Sequence, residues 1–463
     1  MTFARSRSLL ALLVMTLTGA LVAPAASQAD ASSGTSAAAA KKRKVAPRNG
    51  GKVRRAWPAK QSRGDRPNKK LARFLANQVG PKRGGKRHKV RVRARASATG
   101  PLLDFLPAGT PGTLRLVRSF KVPAGDPSAA RMANLSWTYD SAVGAMALMF
   151  AGEKAQAEQL LDQLAALQRT DGSIDFAFNV ADGSSLQQFR SGSIAWIGLA
   201  ASMHRYMYRS SRYDDLAGGA TRWLLARKQA SGLLAGGPDV SWVSTQHNLI
   251  AWFLLSSVDS NVVDGVSNSQ LQSARNAIAD GIERNLIVSI DGSRSAFIQG
   301  VGDPIRPLDV QTLGLLFLAA SGKGQSGKPS TASKVRSYLG SAYAVSGRAI
   351  TKSTDPVSFN DTYSATGPFS GYRPYAEGAG PDVIWGEGTA QVRFALRALG
   401  ENTYNLDKAM SAWNAVTTAR SEGPLGADRT VSGHEVNGYH VWPTSAAASW
   451  TLMGTVGAPA ITF

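Results

Sequence analysis

The sequence predicts an all-α protein, a closed toroid of six helical hairpins of the (α/α)6 type, behind an export signal and a basic segment. Three observations carry this. Six nearly uncharged helical runs rich in Ala, Gly, Ser and Trp begin near Trp137, Arg190, Ser244, Leu308, Trp385 and Trp442, roughly 50 to 80 residues apart. Five of them are followed by a helix of another kind, with apolar residues at i, i+3 and i+4 and charges opposite. Long loops rich in Gly and aromatic residues separate the pairs.

The elements follow in chain order. MTFARSRS carries two arginines, LLALLVMTLTGALVA is an apolar run of signal-peptide length, and APAASQADA supplies small residues for cleavage near residues 26–31. Residues 1–30 are therefore read as a Sec-type signal peptide, and the protein as secreted or associated with the cell envelope. The apolar run is short for a membrane span.

The formal net charge of +22 is not spread along the chain. Residues 41–97 hold 22 Lys and Arg against one acid, whereas residues 98–463 hold 29 of each sign. Residues 31–100, poor in apolar side chains, are expected to be a disordered linker, with one short helix at LARFLANQV (71–79). KKRKV (41–45) mimics a nuclear localisation signal, a reading that an export signal excludes, and no nucleic-acid partner is expected. The segment is read as a passive solvated tail or, by long-range attraction, as an adhesin for an anionic cell-envelope polymer or acidic glycan.

Residues 101–463 form the toroid, a catalytic-type domain. The first member of each pair (WTYDSAVGAMALMF, RSGSIAWIGLAASMHRYMY, STQHNLIAWFLLSSV, LDVQTLGLLFLAAS, WGEGTAQVRFALRAL, WPTSAAASWTLMG) has no polar face and is read as an inner helix buried all round. The second members (KAQAEQLLDQLAALQR, YDDLAGGATRWLLARKQ, LQSARNAIADGIERNLI, TASKVRSYLGSAYAV, NLDKAMSAWNAVTTAR) are outer helices. The sixth outer helix is missing. LRLVRSFKV (114–122) precedes the first inner helix and reads as extended, so what closes the ring stays open at this point. Links from inner to outer helix are short and the return loops are long, which puts the elaboration on one rim, beside the N-termini of the inner helices.

The rim gathers acids and aromatics: Trp137, Tyr139 and Asp140; Asp175 and Arg190; Gln246, His247 and Asn248; Asp309; Glu377, Asp382, Trp385 and Glu387; Tyr439, His440 and Trp442. Each acid alone is explained as a helix cap. Together they match what a saccharide needs: rings that stack on sugars, carboxylates that accept hydroxyl hydrogen bonds, and a pair that divides acid and base duties across a glycosidic bond. Glu387, after Trp385 and Gly386, is the general-acid candidate. His204, amid MHRYMY, is read as structural. With no cysteine, thiol catalysis and Cys-ligated metals are excluded. GxSxG, HExxH and zinc-type spacings are absent too, and GKGQSGKPS lacks the Ser or Thr that a phosphate loop needs, so no cofactor or metal is expected.

WTYDSAV, STQHN, PLDVQTLG, IWGEGTAQ and VWPTSAAASW, in this order over residues 130–456, resemble the six-hairpin glycosidase superfamily. They look like exported bacterial members with W-[ST]-YD, STEHN, LD-x-Q-[ST]-W, WSEGTAQ and WP-x-x-A-x-[AS]-W. The resemblance implies a carbohydrate-active enzyme with Glu387 as general acid and Asp140 as base or sugar ligand. It implies that Asp309, His247 and Trp442 bind sugar; the rim's own residues add Trp137, Tyr139, Asp175, Arg190, Gln246, Asn248, Glu377, Trp385 and His440 as binding candidates. Two positions depart from the pattern: Gln246 stands where Glu is expected, and Gly314 close to where Trp is expected.

Three functional classes follow. The first is an exported glycoside hydrolase acting on an extracellular or cell-envelope polysaccharide or oligosaccharide. The second is a polysaccharide lyase on the same toroid, with a His or Tyr base. The third is a glycan-binding protein without turnover, for which Gln246 is the argument.

Overall fold

The structure, a computed structural model, describes residues 106, 113–122, 129–324, 327, 329–350, 365–376, 378–379, 384–418 and 444–456. The export signal, the basic segment and, among the rim candidates, Glu377, Asp382, Tyr439, His440 and Trp442 lie outside the described residues.

Six inner helices alternate with five outer ones: α1 (Thr138–Ala151), α2 (Lys154–Leu167), α3 (Ser191–Tyr208), α4 (Asp214–Leu225), α5 (Thr245–Ser257), α6 (Asn268–Asn285), α7 (Leu308–Ser321), α8 (Thr331–Ala342), α9 (Gly386–Ala398), α10 (Tyr404–Thr418) and α11 (Ser445–Val456). The odd-numbered helices pack each on the next, and α11 packs back on α1, so the inner ring is closed. The first four outer helices each pack on the inner helix before them, and α10 packs on a strand of the α8–α9 connection.

The two helix types differ in what they bury. In α1 every residue but Tyr139 is buried; α2, four turns long, buries only Ala157, Leu160, Leu161 and Leu164. That spacing of three and four is one stripe of an amphipathic helix. The inner ring is held chiefly by apolar contact, each fully buried Leu or Phe contributing about 1.5–3 kcal/mol. Rings interlock edge to face, as Trp252 with Phe317 at 5.0 Å and Trp196 with Trp450 at 5.8 Å. His204 is fully buried in α3, its Nε2 2.9 Å from Glu158 of α2.

Among the described residues the ring closes without a sixth outer helix. Residues 114–120, which bend at Leu116 and Ser119, tie the two ends of the ring together: Leu114 N–H donates to the Val180 carbonyl, Ser119 N–H to that of Leu135, and Ser445 N–H of α11 to that of Ser119. Leu116 and Val117 are fully buried, and Val117 fits against Gly144 of α1, where a Cβ would lie 3.3 Å from its Cγ1.

All-α describes the ring but not its loops. Three small antiparallel sheets cross the return connections: β1 (Leu135–Trp137), β2 (Ala177–Asn179) and β3 (Ser185–Leu186); β4 (Ile287–Ser289) with β5 (Ser295–Phe297); β6 (Ala344–Ile350) with β7 (Ala365–Tyr372). Most of these strands are two or three residues long, too short for a period-two pattern to register in sequence.

Candidate active site

The first turns of the inner helices meet at one rim. The fourth residues of α5 and α7 stitch the incoming loop to the helix. Asn248 in α5 accepts from Leu234 N–H (2.8 Å) and donates to the carbonyls of Leu234 (3.2 Å) and Ser244 (2.9 Å). Gln311 in α7 does the same with both backbone groups of Phe297 and the Pro307 carbonyl. Asn248 thus spends its amide on backbone in the wall, and Gln311, which the sequence reading did not single out, is its counterpart one inner helix on.

The second residue of α1, α5, α7 and α9 is Tyr139, Gln246, Asp309 and Glu387, respectively. These four form two hydrogen-bonded pairs. Tyr139 O–H donates to Glu387 Oε1 at 2.7 Å, and Gln246 Nε2 donates to Asp309 Oδ2 at 2.9 Å. Glu387 Oε1 also accepts from Gln391 Nε2 at 3.1 Å, one turn further along α9. Gln391 in turn accepts from Thr312 of α7 at 3.5 Å, which ties together the two helices that carry Asp309 and Glu387.

Both carboxylates are 8% exposed, so their contacts decide their chemistry. Burial pushes the Asp309 carboxyl up to about 6, against backbone N–H groups of its own helix turn and the Gln246 amide, which pull the other way. Burial, and next the Glu387 charge, raise the Tyr139 phenol well above its usual value, so it stays a donor. Behind Tyr139, the Trp450 indole donates to its oxygen at 2.8 Å, and the Trp196 ring meets its ring edge to face at 5.5 Å.

Asp140 belongs to a different place. Burial pushes its carboxyl up to about 7, partly offset by the hydroxyl of Ser119 in the segment ahead of β1. Ser119 Oγ accepts the Trp137 N–H at 2.7 Å, leaving its own proton to point at Asp140. The partner of Asp140 is thus part of the ring closure, whereas its neighbour Tyr139 reaches Glu387.

The remaining candidates divide similarly. His247 is buried with its ring against α3, where a Cβ on Gly192 would lie 2.3 Å from Cδ2; burial, then the Arg190 charge, lower its imidazole to about 3. Arg190 is held by the Phe189 carbonyl, Gln188 and Asp239. Both oxygens of Asp175 are taken, by Arg169 (2.8 Å) and Ser185 (2.7 Å), and its carbonyl accepts from Thr138 at the head of α1. Trp137 packs edge to face on Phe176 at 5.1 Å. Trp385 lies on the first turn of α9, and a Cβ on Gly388 would fall 2.2 Å from its ring. That contact explains the second glycine of WGEG. Gly314 has a similar reason: a Cβ there would lie 2.2 Å from the fully buried Phe297 ring, so Phe297 fills the space a larger side chain would need.

Among solved structures, the chain is similar to a glycosidase in complex with glucose, at 14% identity and a TM-score of 0.54 over 83% of this chain and 96% of that one. It is similar to a wild-type glycosidase at 13% and 0.53, over 80% and 98%. It is also similar to a novel α-amylase from Clostridium perfringens at 10% and 0.50, over 78% and 97%. No family model matches the chain, and no curated protein matches it by sequence. The chain therefore shares the fold of these proteins, the (α/α)6 toroid its sequence motifs led one to expect.

Proposed function

We propose that the protein is a glycoside hydrolase that cleaves an extracellular or cell-envelope saccharide at the loop-rich rim. One observation carries this reading: Glu387, a buried carboxylate at an inner-helix N-terminus, whose Oε1 accepts from both Tyr139 and Gln391. Each bond is a donation to a carboxylate, the arrangement of a base held ready to take a proton from water. The sequence reading cast Glu387 as the acid; these two donors favour the base. Trp196 and Trp450, both buried, pack around Tyr139 and hold its hydroxyl on Glu387.

Hydrolysis then needs water to attack the anomeric carbon while Glu387 takes its proton, and a second acid to protonate the departing glycosidic oxygen. Against His247 as the base of a lyase, burial lowers its imidazole to about 3, which makes it a weak base for a carbon-bound proton.

Because a glucose-bound glycosidase and an α-amylase share this fold, α-glucosides are the first probes. Purified protein is incubated with maltooligosaccharides and a panel of bacterial polysaccharides, and the products are weighed by mass spectrometry. Fragments that have gained one water support the proposal. Unsaturated fragments would replace it with a lyase.

Export and adhesion of residues 41–97 to an anionic envelope polymer complete the reading, supported by the apolar leader and the concentration of charge. Salt-sensitive retention on isolated envelopes by residues 31–463, but not by residues 98–463, tests the adhesion.

A further inference from the structure

Gln246 stands where the resemblance leads one to expect a glutamate, and a lost glutamate there would argue for a site that binds without turnover. The structure offers a different account. The Gln246 amide is turned onto Asp309 of the next inner helix at 2.9 Å, and Asp309 occupies the same helix position as Glu387 on the helix after that. Gln246 and Tyr139 are the residues of these first turns that retain partial exposure, and each donates to the deeper carboxylate beside it. The arrangement is two parallel donor–carboxylate pairs on one rim, joined below by Thr312 and Gln391.

We propose that Asp309 is the second catalytic carboxyl of the site, the acid that serves the leaving group, and that Gln246 is its positioning residue. The inference rests on the hydrolase reading above. In the reaction, the Asp309 O–H bond breaks and its proton goes to the glycosidic oxygen. The bond from the anomeric carbon to that oxygen breaks, with the electron pair leaving on oxygen. Water oxygen bonds to the anomeric carbon, and Glu387 takes the water proton. Exchange of one proton from Glu387 to solvent and one from solvent to Asp309 restores the starting state. Burial favours the protonated form of Asp309, as an acid needs. Groups that face it are the Gln246 amide, the N–H groups of its own turn, and Tyr343, whose phenol registers the Asp309 charge while donating to the Arg306 carbonyl at 2.8 Å. A glutamate at 246 would set two carboxyls against each other and create a pair sharing one proton.

The test uses the whole chain and two readouts. In the first, protein labelled with 13C at the aspartate carboxyls is titrated by NMR as wild type, Gln246→Glu and Asp309→Asn, the last identifying the Asp309 signal by its loss. Asp309 is expected to titrate at higher pH in Q246E than in wild type; identical titration would overturn the pairing. In the second, turnover of maltotriose and of the polysaccharide panel is measured for the same proteins, with circular dichroism to confirm folding. D309N is expected to lose about 10³-fold in kcat. Q246E is expected to keep less activity than wild type, with its acid limb shifted upward. A Q246E protein more active than wild type would overturn the proposal, since the missing glutamate would then be the lost catalytic group. Full activity in D309N would overturn it alone and leave the hydrolase reading standing. A wild type and Q246E that both leave every glycan intact would sink the hydrolase reading itself.

Discussion

The phenol of Tyr139 donates a 2.7 Å hydrogen bond to Glu387, 248 residues further along the chain, and accepts one of 2.8 Å from the indole of Trp450. One hydroxyl therefore links α1, α9 and α11. Tyr139→Phe removes the donor to Glu387 and the acceptor for Trp450 together. We expect kcat to fall about 10- to 100-fold with a small change in KM, and stability to drop about 1–3 kcal/mol for the unpaired indole N–H. Steady-state kinetics and urea denaturation check the two effects separately.

Asp140 makes the fold pH-sensitive at the ring closure. Its folded value of about 7 lies above the ordinary 3.8, so the folded state binds the extra proton between the two. Its stabilising contribution is complete below about 3.8 and is lost as pH rises through 7. Asp140→Asn should therefore stabilise the protein at pH 8, by on the order of 2 kcal/mol, and give no gain at pH 4. Thermal melts at both values decide it; an equal shift at both would place the carboxylate in an ordinary solvated setting.

His247 works in the opposite sense. Its folded value of about 3 lies below the ordinary 6.5, so the unfolded chain takes up the proton first. Stability from this residue is whole above 6.5 and declines as pH falls towards 3. NMR of the imidazole should show no titration between pH 5 and 8, and His247→Gln should flatten the acid side of the stability profile.

Glycines 388 and 314 hold space for rings. Gly388→Ala would drive a Cβ to 2.2 Å from the Trp385 ring, and Gly314→Ala to the same distance from Phe297. Each should cost about 1–3 kcal/mol, read as a lower Tm. The G388A protein should also lose turnover, because Trp385 immediately precedes the turn that carries Glu387, whereas Gly314 stands deeper in α7 and should affect stability alone.

Much of the ring was legible because burial leaves a compositional mark. Helices buried all round carry no charged stripe, and α2 or α6 carries one on every turn. The acids in the first turns, Asp309 and Glu387, were visible for the same reason. What could not be read was which groups they meet. The Tyr139–Glu387 and Gln246–Asp309 bonds join residues 248 and 63 positions apart, and nothing local encodes them. Asp140 and Tyr139 are adjacent in sequence, yet a helix turns consecutive residues about 100° apart, so one reaches the ring closure and the other reaches Glu387. Asn248 looks like a ligand in sequence because an amide that binds backbone and an amide that binds sugar are the same amide. Segment 114–120 reads as extended in sequence, yet it bends at Leu116 and Ser119, and its place depends on Ser445 at the far end of the domain.

The central claim is that Glu387 performs chemistry, and its direct test is the turnover of Glu387→Gln beside wild type on the glycan that wild type hydrolyses. Glutamine keeps the size of the side chain and an oxygen to accept from Tyr139 but takes up no proton from water. The account predicts a loss of at least about 10³-fold in kcat, with the circular dichroism spectrum and the affinity for the intact glycan unchanged. A variant that turns over as fast as wild type would remove Glu387 from the mechanism.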